Sequence, residues 1–437
     1  MAVVSVELPD LTDDRVQHLS VGKVLRYGKF RYLWFSQVLA QVAGHVLNFA
    51  LVIKVYQITG SNAIVSILVA LVSLPPILFS SLAGVYADNF NRKTILLLSN
   101  LIRCIIALGL LLDGNSVTML IVFAFCISTV SQFFGPAESS SIASLTHRKG
   151  YFSANSLFVF TTYTAFLVGY SIAGPALRFL GDERTFSILI AMFGLASAMN
   201  LLLPPIREHL DHKRGMSVYE RAFSNIRKEM REGLRFIRGN RFLLVIVVLV
   251  SSIFAIERSV ISLLPDLAQR TFRYTLDEIS YFIITPAGIG AFLGAIIANW
   301  LKSRIDKTKI IVTGMLIAAV TLMLFPLYGM VDGLVAGRAD LILFIALLAV
   351  LSGFGDVFII IAAQTLVHEE TSEHTRGRVF GSLITLMNAV GLPLILIIGL
   401  LASRIQPVYI IFFIGLGLTL LVVGSLIVFR RVIQKGI

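Results

Sequence analysis

Apolar residues in this chain run almost without interruption for long stretches instead of marking one face of a helix or alternating along a strand. A helix needs about 20 such residues to cross roughly 30 Å of hydrocarbon. On that measure twelve segments are predicted to span a membrane. They lie at about 32–54, 63–87, 94–112, 117–137, 153–180, 184–205, 242–264, 279–300, 309–330, 341–366, 378–403 and 407–429. The chain therefore reads as an all-α integral membrane protein.

A polar connection at 206–241 divides the segments into two sets of six. The expected organisation is a segment 1–31, a six-helix half at 32–205, the linker at 206–241, a second six-helix half at 242–429 and a tail at 430–437. Within the linker, Ser217-Val-Tyr-Glu220 fits a capping box. Tyr219, Phe223, Ile226, Met230, Leu234 and Ile237 follow three or four apart among basic residues, the pattern of a helix lying on a membrane surface. Such a helix serves as a tether between halves or as a partner site. A faint repeat relates the halves: Pro136-Ala-Glu138 precedes Asn155 by 17 residues, as Gln364 precedes Gly381. Two related halves with a site near the midplane between them form a recurrent transporter plan.

Composition supports the membrane reading. Hydrophobic residues make up 57% and charged residues 14%, against about 25% charged in soluble domains. The net charge of +12 would suit nucleic acid, but its placement excludes that reading. Of the 37 Lys and Arg, 28 fall in loops on one side and six on the other; Lys54, Arg103 and Arg258 lie within spans. Basic loops stay cytoplasmic, so both ends of the chain are expected in the cytoplasm of a plasma-membrane protein. Trp34 and Trp300 then fall at the cytoplasmic interface. The polar residues 1–30 and the long first apolar run argue for a retained anchor over a cleaved signal.

Cys104 and Cys126 lie in apolar runs and read as small buried hydrophobes. No P-loop occurs, so ATP is not the expected energy source, and His209-x-x-His212 lacks further metal ligands. No cofactor or metal is expected, nor is enzymatic activity. The expected partners are a small-molecule substrate, protons and membrane lipids, with the chain acting as a monomer.

The most specific local pattern is Gly84-Val-Tyr-Ala-Asp88-Asn-Phe-Asn-Arg92-Lys93, between spans two and three. It resembles the loop motif of the major facilitator superfamily. Gly84, Asp88, Arg92 and Lys93 match that motif, whereas Asn89 and Asn91 replace a basic residue and a glycine. Leu25-Arg-Tyr-Gly-Lys-Phe-Arg-Tyr-Leu-Trp34, Phe134-Gly-Pro-Ala137, Ala154-Asn-Ser156 and Arg376-Gly-Arg-Val379 are similar to the drug-exporter branch of macrolide-efflux and enterobactin-exporter proteins. The resemblance covers about residues 22–430. It implies two pseudo-symmetric six-helix halves, with spans one, four, seven and ten lining a cavity, and secondary export commonly driven by proton antiport.

In this loop Gly84 would let helices approach closely. Asp88 would accept from the start of span eleven near Thr375–Gly377, and Arg92 would pair with Glu138. Such contacts form either a gate or ordinary interface charge. The equivalent loop of the second half, around Lys302–Lys307, lacks the Gly and Asp.

Ionisable residues within hydrocarbon cost at least about 2.5–3.5 kcal/mol and so face cavities or partners. Glu257, Asp356 and His45 lie on the implied lining spans and are the candidate proton-coupling groups. Static pairing is the competing reading for both acids. For His45, which stands where the resembled family has Asp, the alternative is a hydrogen-bonded packing residue. Arg103 and Arg258 complete the intramembrane charges, with Arg103 expected beside Asn100. Gly169, Gly174 and Pro175 in span five provide for close packing and bending. Phe123, Phe125, Phe133 and Phe134 in span four suit either an apolar ligand or lipid.

Overall fold

The twelve apolar segments fall on helices in a computed structural model. It describes residues 21–25, 28–146, 150–206, 231, 235, 237–239, 241–301, 304–327, 338–370 and 373–434. Spans one to four are the helices Gly28–Thr59, Asn62–Asn89, Arg92–Leu112 and Val117–Leu145. Spans five and six form one stretch, Tyr151–Leu201, broken at Gly181. Its φ of +78° is a conformation that side chains with a Cβ avoid. Span seven is Arg241–Asp266, and span eight combines a π-helical turn, Ser280–Ile284, with Thr285–Leu301. Spans nine to twelve are Lys307–Leu324, Arg338–Glu370, Glu373–Leu401 and Pro407–Gln434.

Ten stretches are individually long and apolar enough to cross a membrane. The kink at Gly181 divides one of these into two spans, and span eleven contributes the shorter apolar stretch Thr385–Leu401. The amphipathic linker segment expected at 217–237 and the His209/His212 pair lie outside the described residues, save Arg231, Arg235 and Ile237. The side chains of Arg376–Val379 are outside them as well.

Local chemistry sets the helix boundaries. Asn91 caps span three by accepting from the Lys93 amide, Ser116 caps span four through the Met119 amide, and Asp306 caps span nine through the Thr308 amide. Each satisfies an amide that the first helical turn leaves without a partner. Prolines lie inside spans two, four, five, seven and eleven. Membrane helices tolerate them because neighbouring groups take up the released carbonyls.

Alternate helices run in opposite directions. One end of the bundle, called proximal, therefore carries Gly28, the loop 89–92, residues 202–206 and Arg241. The distal end carries the turns at 60–61, 113–116 and 181 and the segment 266–279. Packing differs between the ends. At the distal end one continuous buried apolar cluster joins the halves, from Val46, Leu51 and Phe193 to Leu263, Phe272, Ile345 and Ile411. At the proximal end the described residues form two clusters. One, with Phe30, Leu96 and Phe158, belongs to the first half; the other, with Val247, Met315 and Phe358, belongs to the second.

Candidate functional site

The seam between the halves carries polar contacts at its distal end. Asp266, the last residue of span seven, is fully buried. Tyr56 OH donates to its Oδ1 at 2.5 Å, Asn62 Nδ2 donates to its Oδ2 at 2.7 Å, and Arg270 Nε donates to Oδ1 at 2.8 Å. Tyr56 and Asn62 belong to the first half, Arg270 to the π-helical turn Leu267–Thr271 that follows Asp266. Nearby, Arg178 Nη1 donates to Asp277 Oδ2 at 2.6 Å. Lys54 is ion-paired with Asp182 inside the first half.

Span five meets span eight at Gly174, whose amide donates to Ser280 Oγ at 3.3 Å. A Cβ added there would lie 2.7 Å from that oxygen and 2.9 Å from Asp277 Cα. Deeper along the seam Ser66 Oγ donates to Ser262 Oγ at 3.1 Å and Arg258 Nη1 to Ser73 Oγ at 2.8 Å.

Toward mid-bundle the candidate acids come together. Glu257 on span seven and Asp356 on span ten lie within electrostatic range of one another. Glu257 also interacts with Arg258, and both act on Tyr170 of span five. All four residues are partly buried. Arg258 thus acts electrostatically on the acid beside it and, through Ser73, bonds the opposite half.

Tyr170 belongs to an aromatic group with Phe49, Phe166 and His45. Phe49 stacks on Tyr170 at 5.2 Å, and the His45 ring meets Phe166 edge-on at 5.3 Å. Gly169 makes room for this, since a Cβ there would lie 2.5 Å from His45 Cβ. His45 therefore packs spans one and five together. Its Nε2 is buried with no hydrogen-bond partner among the described residues, so the expected hydrogen bond is not made there.

The proximal loop motif is organised differently from expectation. Arg92 donates to the carbonyls of Ala87 and Ser140 and to Ser144 Oγ. Glu138 is turned instead toward Arg103 and Gln41. The expected Arg92–Glu138 pair is not made: Arg92 is directed to Ala87, Ser140 and Ser144, and Glu138 Oε1 is buried with no hydrogen-bond partner among the described residues. Arg103 donates to Asn100 Oδ1 at 3.2 Å, the neighbour anticipated for it, and to Ser131 Oγ at 3.0 Å. Its guanidinium also sits 4.6 Å over the Phe134 ring.

Asn91, a departure from the motif, bonds the Ile206 amide besides capping span three, while Lys93 Nζ reaches the Leu201 carbonyl. The loop is thereby tied to the end of span six. A Cβ on Gly84 would meet nothing within 4 Å among the described residues. The expected partner of Asp88 at 375–377 has side chains outside the described set.

In span four, Phe134 serves Arg103, Phe123 fills the notch at Gly109, and Phe133 packs on Tyr86. These three are occupied in packing.

Sequence reading missed the distal cluster. Asp266 and Asp277 lie at the two ends of the connection between spans seven and eight, and Tyr56 and Asn62 flank the tight turn at Gly60. Only their convergence from separate spans marks them. The available signal was Pro265-Asp266 at the end of an otherwise apolar span.

Comparisons with known proteins agree with this architecture. Residues 33–394 match the family model of the Major Facilitator Superfamily. Two relatives named as bacilysin exporters (BacE), from Bacillus subtilis and Bacillus amyloliquefaciens, are each 27% identical over 384 residues. Each alignment covers 84% of this chain and 88% of the relative. Among solved structures, a POT family transporter in complex with a thioalcohol-conjugated peptide superposes with a TM-score of 0.72 at 13% identity. The match covers 92% of this chain and 96% of that one. The nucleoside transporter NupG superposes with a TM-score of 0.69 at 13% identity, covering 91% and 99%. At these identities the structures speak for the fold alone. Through its family match over most of its length and its apolar helices, this chain belongs to the major facilitator superfamily of membrane transporters.

Proposed function

We propose that the protein is a secondary active exporter of amphipathic small molecules that works by alternating access and is driven by proton entry. The observation that carries this reading is the asymmetry of the seam. One apolar cluster and several polar bonds join the halves distally, whereas the described buried apolar residues at the proximal end form two separate clusters, one in each half. Such a molecule opens toward one face and needs to reverse that asymmetry to release cargo at the other. With 28 of 37 basic residues in proximal loops, the proximal face is cytoplasmic and the membrane is the plasma membrane. Export is further supported by the relatives named as exporters.

Glu257 and Asp356 are the proton-coupling pair. They are carboxylates on two spans in apolar surroundings, the kind of intramembrane group that marks a proton path. One charge crossing the potential supplies about 2.3 kcal/mol per 100 mV, enough for more than a tenfold gradient. Asp88, Arg92 and Lys93 serve the proximal gate. Protons, cargo and lipid are the partners of a working monomer.

Purified protein in proteoliposomes, screened over dyes, macrolides and lysolipids, tests the proposal. Flux that collapses with the proton gradient in the native protein, and loses that dependence in Glu257→Gln or Asp356→Asn, is expected. Flux indifferent to the gradient overturns proton coupling, and full coupling in both variants overturns the site.

A further inference from the structure

Asp266 is a charge-bearing side chain with no exposed surface, at a place where the halves of the molecule meet. Of its three donors, Arg270 sits one turn further along the same chain segment, while Tyr56 and Asn62 come from the opposite half. Resting on the alternating-access reading, we infer that Asp266 is the pin of the distal gate: a positioning residue whose bonds to Tyr56 and Asn62 hold the halves together and set how often the distal face opens.

The physical reason is the division of its partners. A buried carboxylate separated from every donor would be prohibitively costly, which would make the closed seam permanent. Arg270, two-thirds exposed at its side chain, travels with Asp266 and keeps a counter-charge beside it when the halves part. Water then replaces the Tyr56 and Asn62 donors. Opening therefore breaks two bonds without stranding a charge.

The closed arrangement is also incompletely satisfied. Asn62 Oδ1 is buried with no hydrogen-bond partner among the described residues, and such a group costs stability until water reaches it. A strong acceptor with an exposed counter-ion, held by a donor whose own acceptor is left wanting, suits a contact that forms and breaks. Around it the chain departs from regular α-helix twice, in the π-helical turns Leu267–Thr271 and Ser280–Ile284. Wide turns of this kind frequently occur at functional sites. Between them lies Asp277, which bonds Arg178 across the same seam and adds a second, more exposed tie.

The test uses a reporter thiol beneath the pin and needs no knowledge of the cargo. In the full-length protein with Cys104→Ser and Cys126→Ser, Ser262→Cys places a thiol at a fully buried seam position. Membrane-impermeant maleimide is applied from the distal face of oriented vesicles. Asp266→Asn should speed labelling by about tenfold, in the range expected for weakening hydrogen bonds to a charged acceptor. Tyr56→Phe, which deletes one hydroxyl, should speed it by a smaller factor, and Asp266→Glu should lie nearer the parent. Melting temperatures of the three variants should remain close to the parent, which a merely structural role for Asp266 would not give.

Labelling within about twofold of the parent in both Asp266→Asn and Tyr56→Phe overturns the inference. Should Asp266→Asn fail to fold, Tyr56→Phe alone decides. Because the readout is accessibility, the pin can fail while coupled flux is present, or hold while flux proves uncoupled; the two readings fall separately.

Discussion

Replacing Gly174 by alanine adds a single methyl group at the seam between spans five and eight. That methyl would sit 2.7 Å from Ser280 Oγ, 2.9 Å from Asp277 Cα and 3.0 Å from the Asp277 carbonyl oxygen, where ordinary contacts begin at 3.4 Å. Two of the three atoms are backbone, so no side-chain rotation relieves the clash. The Gly174 amide would also lose its bond to Ser280 Oγ as the segments separate by several tenths of an ångström. Overpacking of this kind costs about 1–3 kcal/mol.

Gly174 and Ser280 belong to opposite halves, so the cost falls on the distally closed conformation and is absent once the distal end opens. A bias of that size shifts the ratio of the two conformations by about 5- to 150-fold. Spin labels on Asn115→Cys and Arg404→Cys, exposed distal positions on opposite halves, in the background lacking the native cysteines, report the change by pulsed electron resonance. The expected result is a longer distance population that grows at the expense of the short one. Gly353→Ala is the control: its methyl would lie 1.9 Å from the Ala287 carbonyl, within the second half. It should lower the melting temperature and leave the distance distribution alone. An unchanged distribution in Gly174→Ala, or the same shift in both variants, refutes the reasoning.

Other outcomes follow from the proximal network. Asn91→Ala removes a helix cap and the tie to Ile206 and should cost about 1 kcal/mol, seen as a small drop in melting temperature. Asn91→Gly, the residue expected from the motif, should cost less. Arg103→Met removes a buried guanidinium together with its bonds to Asn100 and Ser131 and should lower the melting temperature, since hydrogen bonds made by a charged group contribute about 1.5–3 kcal/mol. Combining it with Glu138→Gln in a double-mutant cycle should recover part of that stability. An additive loss would mean that the two groups do not interact.

The membrane character and the positions of the apolar helices could be read from apolar run length alone, because hydrocarbon thickness sets a minimum that no soluble helix needs. The intramembrane charges were legible for a related reason: each is conspicuous against apolar neighbours. Arg103 beside Asn100 was readable because three residues along a helix are neighbours in space.

Contacts between distant spans were not legible. The Arg92–Glu138 pairing failed because residue spacing says nothing about which side chains of two helices meet. Asp266 was overlooked for a different reason. A carboxylate at a span end resembles any solvated turn residue until Tyr56 and Asn62, more than 200 positions earlier, are seen to close over it.

What the sequence determined by itself was which residues live in lipid, since burial in hydrocarbon is a property of each segment on its own. Only the tertiary structure decided which end of the seam is joined and which side chains join it. That depends on how one half is rotated against the other, and no local pattern encodes such a rotation.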